Sequence, residues 1–427
     1  MIPEIEKWSR EKIKAAQEQG LHETLNYVNT KSPFYKNHFQ KFDIQVSKIK
    51  SLDDLAAIPP TTKDDMQLNH WNFLCVPKKQ IAEYTTTSGT LGKPVVVALT
   101  KKDLDRLTYN EYISLMCADG CSDDLYQLLL TLDRQFMAGI AYYNGIMKMG
   151  AGAIRTGPGL PSFQLDSIIN LEPTTLIAVP SFIVKVIEAA AQRGISLHQT
   201  SIKKIVCIGE NIRNQDFSLN TLGKKITEQW NVQLYSTYAS TEMQTAFTEC
   251  THGNGGHHHP ELIITEILDS NNNAVAPGQE GELAITHLGV EGMPLIRYKT
   301  GDIVQLHEGI CSCGRNTARV SPIIGRTQNM IKLKGTTLYP PGIFEILHEA
   351  GISDYVVEVS MGDLGTDTLK LVVVANEESI TRVRSIFQSR FRILPDIILA
   401  ASQQIEQMQL KDGLRKPMKF IDRRVRI

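Results

Sequence analysis

The chain has 427 residues, of which 42% are hydrophobic and 21% charged, and its formal net charge is −1. That length allows a large buried core and more than one domain, whereas the near-neutral charge excludes broad electrostatic binding of nucleic acid. No apolar run reaches the roughly 18 residues that cross a bilayer, and the N-terminus is charged and helical in pattern, unlike a signal peptide. We therefore expect a cytoplasmic protein with no membrane partner.

The first two thirds of the chain predict an α/β fold. Residues 1–65 are predicted to be helical, with a loop over residues 31–35. From Tyr84 to about Leu306, short β-rich runs alternate with helical segments, which indicates largely parallel, buried strands. These runs are VVVALT (95–100), YQLLLTL (126–132), TTLIAVP (174–180), KKIVCIG (203–209) and VQLYSTY (232–238).

The pattern changes after Glu261. The segments ELIITEILD, GELAITHL and DIVQL, separated by turn residues, predict an antiparallel β subdomain at about 245–320. A second mixed α/β unit begins at about Gly325. We therefore predict a large N-terminal domain over residues 1–324, which includes the β subdomain, and a small C-terminal domain over residues 325–427.

A loop rich in hydroxyls and glycines, TTTSGTLGKP (85–94), is the first candidate site. Only two residues separate its glycines, so the spacing excludes a Walker A loop. Such a loop can still offer hydroxyls and main-chain N–H groups to phosphate oxygens, with Lys93 as a counter-charge. The alternative is a solvated hairpin that leads into a strand.

Four further motifs follow in the order YSTYASTE (235–242), RYKTGD (297–302), GRTQNMIKLKG (325–335) and GLRKPMKF (413–420). The first offers an aromatic ring to a purine and a carboxylate to Mg²⁺. The second ends in an aspartate suited to the two hydroxyls of a ribose. Each motif also has an ordinary interpretation: a core tyrosine, a turn aspartate, a solvated linker and a solvated tail.

In this order, the five motifs resemble the adenylate-forming acyl-CoA synthetase superfamily, most closely its phenylacetate–CoA ligase branch. The resemblance extends to SPFYK (32–36), SLDDLAAIPPTTKDDM (51–66), MPLIRYKTGD (293–302) and CSCGR (311–315), and thus covers effectively the whole chain. It implies a large domain of mixed and parallel sheets with a β subdomain, and a small mobile α+β domain at the C-terminus.

The same resemblance implies an ATP-dependent, AMP-forming acid–CoA ligase. Such an enzyme adenylates an aryl or small carboxylic acid, such as phenylacetate, and transfers the acyl group to coenzyme A. ATP, Mg²⁺ and coenzyme A are the expected small-molecule partners, and a homodimer is left open. Two alternatives remain: an adenylyl transferase of the deazaflavin-adenylating type, which needs no coenzyme A, and a non-catalytic nucleotide- or CoA-binding homologue.

The resemblance also implies a role for individual residues of the nucleotide site. The β- and γ-phosphates would be held by Ser88, Gly89, Thr90, Gly92 and Lys93. The adenine and α-phosphate would be held by Gly209, Glu210, Tyr238, Ala239, Ser240 and Thr241. Glu242 would bind Mg²⁺, Asp302 would accept both ribose hydroxyls, and Arg326 would lie beside the ribose at the hinge.

Lys416 is the implied catalytic lysine, acting with Thr241 and Glu242, and it would bridge the carboxylate and the α-phosphate. Lys419 is the alternative, because the short basic tail permits a shifted alignment. The sequence departs from the family at Leu91, where a second threonine is usual, and after Arg326, where the usual hinge acid is missing.

The seven cysteines are an odd number in a large chain, which argues against a disulfide framework. Four scattered ones are expected to be small buried apolar residues: Cys75, Cys117, Cys121 and Cys207. The other three, Cys250, Cys311 and Cys313, would form with one histidine a tetrahedral zinc site of the structural type. The resemblance favours His257 as the fourth ligand, with His252 as the alternative, and reduced, unligated thiols are the alternative to zinc.

The apolar and aromatic segment over residues 133–152 is the candidate acid pocket. In the family that the chain resembles, this region lines the site of the carboxylic acid. Phe136 and Tyr142 are the residues we expect to face the acyl group. A core helix with aromatic side chains is the alternative.

Overall fold

The computed structural model describes residues 2–87, 95–333, 336–362, 367–391, 393–410 and 417–424. These residues form two compact units. The first contains the described residues up to 87, then 95–300 and 304–322, whereas residues 301–303 and those from 323 onward belong to the second.

Helices make up much of the first unit. They are α1 (Arg10–Lys31), α2 (Pro33–Lys41), α3 (Lys63–Asn69), α4 (Lys101–Cys117), α5 (Met137–Met149), α6 (Pro161–Leu171), α7 (Pro180–Gln192) and α8 (Thr221–Gln229). Side chains of Ser9, Thr62, Thr100 and Asn220 accept backbone hydrogen bonds and cap α1, α3, α4 and α8. Because α2, α6 and α7 begin with proline, their first turn loses no hydrogen bond.

The N-terminal helices are nearly continuous where the sequence predicts a loop. Ser32 alone separates α1 from α2, and its hydroxyl accepts a hydrogen bond from the Tyr35 N–H. Pro33 occupies the first position of α2. The prediction of a loop over residues 31–35 is therefore wrong, since a capping serine followed by proline restarts a helix within one residue.

The strands of the first unit fall into a hairpin and a large sheet. The hairpin pairs β1 (Ile81–Thr86) antiparallel with β2 (Val96–Thr100), so the segment VVVALT does not join the parallel strands. The other strands are β3 (Leu125–Leu128), β4 (Gly152–Arg155), β5 (Thr175–Ala178), β6 (Lys204–Ile208), β7 (Gln233–Ser240), β8 (Thr245–Thr248), β9 (Gly256–His257), β10 (Ile263–Leu268), β11 (Glu280–His287), β12 (Tyr298–His307) and β13 (Arg319–Val320).

The large sheet has a parallel and an antiparallel half. Its strand order is β10-β11-β12-β13-β9-β8-β7-β6-β5-β3-β4. From β7 to β4 neighbouring strands run parallel, whereas β8 pairs antiparallel with both β7 and β9. The predicted antiparallel segment is thus present, and it is continuous with the parallel strands through the β7–β8 pair.

Helices cover both faces of the parallel half. On one face, α6, α7 and α8 pack in a core that includes Leu165 and Trp230. On the other face, α4 and α5 contribute Leu115, Tyr142 and Ile146. Strands buried on both faces read as continuous apolar runs, which is why the sequence predicts them. The α/β fold class is confirmed.

The second unit is a small α+β arrangement. Its helices are α9 (Pro340–Glu349), α10 (Glu377–Phe391) and α11 (Ser402–Gln409). Its strands are β14 (Gly325–Arg326), β15 (Ile331–Leu333), β16 (Thr336–Leu338), β17 (Tyr355–Met361), β18 (Asp367–Val373), β19 (Asp396–Leu399) and β20 (Phe420–Asp422). Four of them form a sheet in the order β19-β18-β17-β20, and its apolar core includes Ile346, Val357 and Phe387.

Within the described ranges, no helix is both long enough and apolar enough to cross a membrane.

Candidate nucleotide and metal sites

The predicted adenine residues lie at the carboxyl ends of two neighbouring parallel strands. Ile208 of β6 pairs with Thr237 of β7, so Gly209 and Tyr238 follow at adjacent ends. Gly209 has a φ of 74°, a conformation that glycine adopts at little cost. Ligands of open α/β sheets bind at the carboxyl ends of the strands, which makes this edge the candidate nucleotide site.

Glu210 is held in place by the start of α7. The N–H of Ser181 donates to Oε2 of Glu210 at 2.9 Å, and the Ser181 hydroxyl donates to Oε1 at 3.0 Å. A carboxylate at a helix N-terminus also interacts favourably with the helix dipole. Glu210 therefore connects the end of β6 to α7 and fixes the turn that contains Gly209.

The end of β7 carries the remaining predicted residues of the first unit. The Tyr238 ring stacks on Phe247 of β8, with centroids 5.9 Å apart and planes 21° apart. The Ser240 hydroxyl accepts a hydrogen bond from the Met243 N–H at 3.2 Å, in the turn that also contains Thr241 and Glu242. This turn brings a ring, hydroxyls and a carboxylate to the same edge of the sheet.

Glu242 has a partner that sequence reasoning missed. Nζ of Lys63, at the start of α3, lies 3.7 Å from Oε1 of Glu242. Both side chains are mostly buried, with 22% and 12% of their surfaces exposed. The Glu242 carboxylate therefore already has a cation beside it.

In the second unit, the predicted ribose residues lie side by side. Asp302 pairs with Arg326 across two antiparallel strands, and Nε of Arg326 donates to Oδ1 of Asp302 at 2.8 Å. Asp302 is 2% exposed, whereas 44% of the Arg326 side chain is exposed. The arginine thus orients the carboxylate that we predict to bind the ribose.

The predicted phosphate loop and the predicted catalytic lysine fall outside the described residues. This applies to Ser88, Gly89, Thr90, Gly92, Lys93 and Lys416. Lys419, the alternative lysine, is described: its carbonyl accepts a hydrogen bond from Val357, and its Nζ lies 5.4 Å from the centroid of the Tyr355 ring.

The predicted acid-pocket residues lie on the face of the sheet that α4 and α5 cover. Phe136 directly precedes α5 and is partly buried, and Tyr142 within α5 is 3% exposed. Tyr235 packs in the same core, so alternation along β7 directs Thr237 to this face and Tyr238 to the opposite one.

Four predicted metal ligands converge in the antiparallel half of the sheet. The ligand atoms of Cys250, His257, Cys311 and Cys313 all lie within 4.8 Å of one another. Sγ of Cys250 is 3.7 Å from Sγ of Cys311, and Sγ of Cys313 is 3.5 Å from Nε2 of His257. With Zn–S bonds of about 2.3 Å, two sulfurs on a tetrahedral ion stand about 3.8 Å apart, so the spacing fits zinc.

The histidine is ready to act as a ligand. Nδ1 of His257 contacts the hydroxyl of Thr317 at 3.2 Å, which leaves Nε2 toward the thiols. Burial and the nearby Arg315 lower the pKa of His257 to about 3, so the imidazole is neutral. The alternative ligand His252 is exposed and is not part of the group.

A buried ion network supports this cluster. Glu6 and His259 are both fully buried, and Oε1 of Glu6 lies 2.6 Å from Nδ1 of His259. Nε of Arg315 donates to Oε2 of Glu6 at 2.6 Å, and its Nη1 is 3.6 Å from Sγ of Cys313. Burial opposes ionisation of Glu6, but His259 and Arg315 together bring its pKa below the ordinary value.

Three of the four scattered cysteines are buried as predicted, and one is exposed. Cys75 and Cys207 are buried as expected, and Cys117 is also buried, against Cys250 and Cys311. Cys121 is exposed, so the expectation of a buried apolar residue is wrong there. It lies in the loop before β3, where the chain turns over the surface.

Comparison with known proteins identifies the family. The profile of a family described as "AMP-binding enzyme" matches residues 13–291, which is more than half of the chain. The chain belongs to the AMP-binding enzyme family. The matched region includes the predicted phosphate loop, the ends of β6 and β7, and the candidate acid pocket.

Curated relatives of this AMP-binding enzyme include a phenylacetate–coenzyme A ligase of Thermus thermophilus, which is 29% identical over 352 residues and covers 81% of this chain and 77% of the relative. A phenylacetate–coenzyme A ligase of Escherichia coli is 27% identical over 390 residues, which is 88% of this chain and 86% of the relative. The expected branch is confirmed, and the enzyme class is that of AMP-forming acid–CoA ligases.

A solved structure has the same fold. A 2-hydroxyisobutyryl-CoA ligase in the postadenylation state superposes with a TM-score of 0.84 at 21% identity, over 98% of this chain and 91% of the other. The likeness confirms the expected fold of adenylate-forming enzymes.

Sequence reasoning missed three features of this AMP-binding enzyme. Lys63 lies within the segment SLDDLAAIPPTTKDDM, which resembles the family, but its ion pair with Glu242 was not predicted. Glu6 in the N-terminal turn and Glu111 in α4 are both buried. Their burial could not be predicted, because it depends on neighbours that are distant in the sequence. The buried side of α4 also contains Asp103, Arg106 and Asn110, so a charged residue at position 111 did not stand out.

Proposed function

We propose that this AMP-binding enzyme adenylates an aryl or small carboxylic acid, such as phenylacetate, with ATP and then transfers the acyl group to coenzyme A. The observation that carries the proposal is the arrangement at the ends of β6 and β7. There Gly209, Glu210, Tyr238, Thr241 and Glu242 lie at one sheet edge, within the region that matches the family. The phenylacetate–CoA ligase relatives support the acid class.

The chemistry requires two anions to react. A carboxylate oxygen attacks the α-phosphorus of ATP, and the bond to pyrophosphate breaks. The sulfur of coenzyme A then attacks the acyl carbon, and AMP leaves with the former carboxylate oxygen. The protein mainly positions the reactants and neutralises their repulsion.

We assign the charges that do this to the residues that the resemblance names. Glu242 would hold Mg²⁺, which reduces the repulsion between carboxylate and phosphates. Lys93 in the phosphate loop would face the leaving pyrophosphate, and Lys416 would bridge the carboxylate and the α-phosphate. Asp302, oriented by Arg326 at 2.8 Å, would accept the ribose hydroxyls.

The proposed two-step reaction also requires two domains. We infer a large domain over residues 1–324 and a small one over residues 325–427 that moves between adenylation and thioester formation. Such motions order the two half-reactions in enzymes with lids or mobile domains. We also predict a cytoplasmic location, and a homodimer stays open.

We also propose a structural zinc ion at Cys250, His257, Cys311 and Cys313. Its support is the convergence of four ligand atoms within 4.8 Å and a histidine oriented by Thr317. Three of the four residues are buried, and four protein ligands leave no position for substrate. The ion would tie the turn after β8 to the turn before β13.

Pyrophosphate release tests the function. The purified protein is incubated with ATP, Mg²⁺ and a panel of carboxylic acids, with and without coenzyme A, and pyrophosphate and thioester are measured. We expect acid-dependent pyrophosphate release, with a thioester only when coenzyme A is present. Release without any thioester would favour the adenylyl transferase, and no release with any acid would refute both catalytic interpretations.

A further inference from the structure

Lys63 and Glu242 form an ion pair at the edge of the sheet that carries the candidate nucleotide site. Glu242 lies in the turn after β7, and Nζ of Lys63 is 3.7 Å from its Oε1. Lys63 is the first residue of α3, where the helix dipole favours anions such as the next two residues, Asp64 and Asp65. The stability of α3 therefore does not explain a lysine at this position.

The main chain around Lys63 is fixed to the start of β12. Thr61 is fully buried. Its N–H donates to the carbonyl of Arg297 at 3.1 Å, and its own carbonyl accepts from the N–H of Lys299 at 2.9 Å. The side chain of Thr62 then caps α3. Lys63 thus extends from a defined point of the main chain toward the turn after β7.

The contact between the two charges leaves the carboxylate of Glu242 open to another cation. Its 3.7 Å is longer than the roughly 2.7–2.9 Å of a charge-assisted hydrogen bond. Within the part of the chain that the structure describes, neither charged group forms a hydrogen bond. Because Mg²⁺ binds one or two carboxylates together with phosphate oxygens, Glu242 fits this metal and can take it without breaking a hydrogen bond.

Charge balance gives Lys63 a function in nucleotide binding. Only 12% of the Glu242 side chain is exposed, so water screens its charge poorly, and an uncompensated carboxylate there would repel the phosphates of ATP. Bound Mg²⁺ would remove that repulsion. When no metal is bound, the ammonium of Lys63 is in place to supply the compensating charge.

We propose that Lys63 is a positioning residue that acts through Glu242: it balances the carboxylate while the site holds no metal, and so limits how strongly ATP binding depends on Mg²⁺. Loss of Lys63 should weaken metal-free binding most, since only there is Glu242 left uncompensated. This inference rests on the nucleotide site of the proposed function.

The test measures ATP affinity with and without metal. The dissociation constant of ATP is determined by titration calorimetry in EDTA and in saturating Mg²⁺, and the ratio of the two constants gives the metal dependence. Lys63→Met removes the charge and keeps a long side chain. We expect it to raise the ratio about tenfold, within the 5- to 150-fold range typical of coupled binding, mostly through weaker binding in EDTA.

Control variants assign the effect to the pair. Lys63→Arg keeps the charge and should keep the wild-type ratio. Lys299→Met removes a lysine of matched exposure, 20% against 22%, whose partner Glu282 is also 12% exposed but is not assigned to the nucleotide. It should leave the ratio unchanged. In a Glu242→Gln background, Lys63→Met should no longer raise the ratio, because no carboxylate remains to be balanced.

An unchanged ratio in Lys63→Met, or an equal rise in Lys299→Met, would overturn the inference. Glu242→Gln alone keeps Lys63 and should bind ATP more tightly than wild type in EDTA; equal or weaker binding would also overturn it, even if Lys63→Met fails to fold. Failure of ATP to bind with or without Mg²⁺ would refute the proposed function as well. The expected shift in ratio without pyrophosphate release from any acid would refute the ligase function and support the role of Lys63.

Discussion

At the residue scale, the basic tail contains two candidates for the catalytic cation. Lys416 is assigned by resemblance, and Lys419 lies three residues later beside the ring of Tyr355. The adenylation transition state gathers charge between two anions, so a lysine that bridges them should matter most in that step. Thioester formation starts from a neutral acyl carbon and needs this cation less.

We predict that Lys416→Ala lowers acid-dependent pyrophosphate release at least about 100-fold, the size of effect seen when a group that stabilises developing charge is removed. Thioester formation from supplied acyl-adenylate should survive. Both half-reactions are measured separately, with Lys419→Ala as the matched control. Equal loss of both steps in Lys416→Ala, or selective loss of adenylation in Lys419→Ala, would contradict the assignment.

Glu111 also predicts a pH dependence of stability. Its carboxyl has an ordinary pKa of 4.5 and a folded-state pKa of about 8, so the folded state holds the proton more tightly than the unfolded state. Its contribution to stability is therefore complete below pH 4.5 and is lost as the pH rises toward 8. Glutamine does not ionise, so Glu111→Gln should gain melting temperature relative to wild type between pH 5 and pH 9. A pH-independent difference between the two melting curves would show that Glu111 ionises normally in the folded protein.

At the element scale, the first turn of the chain is tied to the segment before β13. Glu6 lies in a short 3-10 helix (Glu4–Lys7) and pairs with His259 and Arg315, more than 250 residues away. Removing one member of a buried ion network leaves the others uncompensated, which typically costs about 3–5 kcal/mol. This network therefore connects the N-terminal turn to the predicted metal ligands, because Arg315 contacts both Glu6 and Cys313.

We predict that Glu6→Ala lowers the free energy of unfolding by about 3–5 kcal/mol in urea titrations. The control is Glu4→Ala in the same turn, whose side chain is 76% exposed and pairs only with Lys7 in the described structure; it should leave the midpoint unchanged. A midpoint for Glu6→Ala that matches the control would mean that the network contributes little.

The elements differ in how far the sequence could predict them. The parallel strands are continuous apolar runs, and the motif residues Gly209 and Tyr238 fall at their ends as α/β geometry requires. The sequence predicted a loop around Ser32 because serine followed by proline is common in loops. The same two residues also begin a helix, with serine as the cap and proline at the first position, as they do in α2. The partners of Glu6 and Glu111 could not be predicted, since burial is a property of packed elements and not of a local pattern.

At the scale of the whole molecule, the group of three cysteines and His257 joins distant parts of the large sheet. Cys250 follows β8, whereas Cys311 and Cys313 precede β13, and His257 lies in β9 between them in the strand order. We predict about one zinc ion per chain, since one four-ligand group is present in the described residues. Metal analysis of protein purified without a histidine tag measures this.

Two cysteine variants test whether the zinc is bound by these four residues. Cys313→Ser should lower the zinc content and the melting temperature, because a structural zinc site contributes directly to folding. Cys121→Ser changes an exposed thiol outside the cluster and should change neither. A zinc ratio near zero in wild-type protein, or equal zinc in both variants, would exclude the site.

The proposed reaction joins the acid to AMP before the thioester forms, and oxygen isotopes follow that transfer directly. An acid labelled with ¹⁸O in its carboxylate is incubated with the enzyme, ATP, Mg²⁺ and coenzyme A, and the products are analysed by mass spectrometry. If the carboxylate attacks the α-phosphorus, one labelled oxygen stays on AMP after the thiol displaces it, and pyrophosphate carries none. Unlabelled AMP alongside thioester, or ADP and phosphate as products, would show that no acyl-adenylate forms on the way to the thioester.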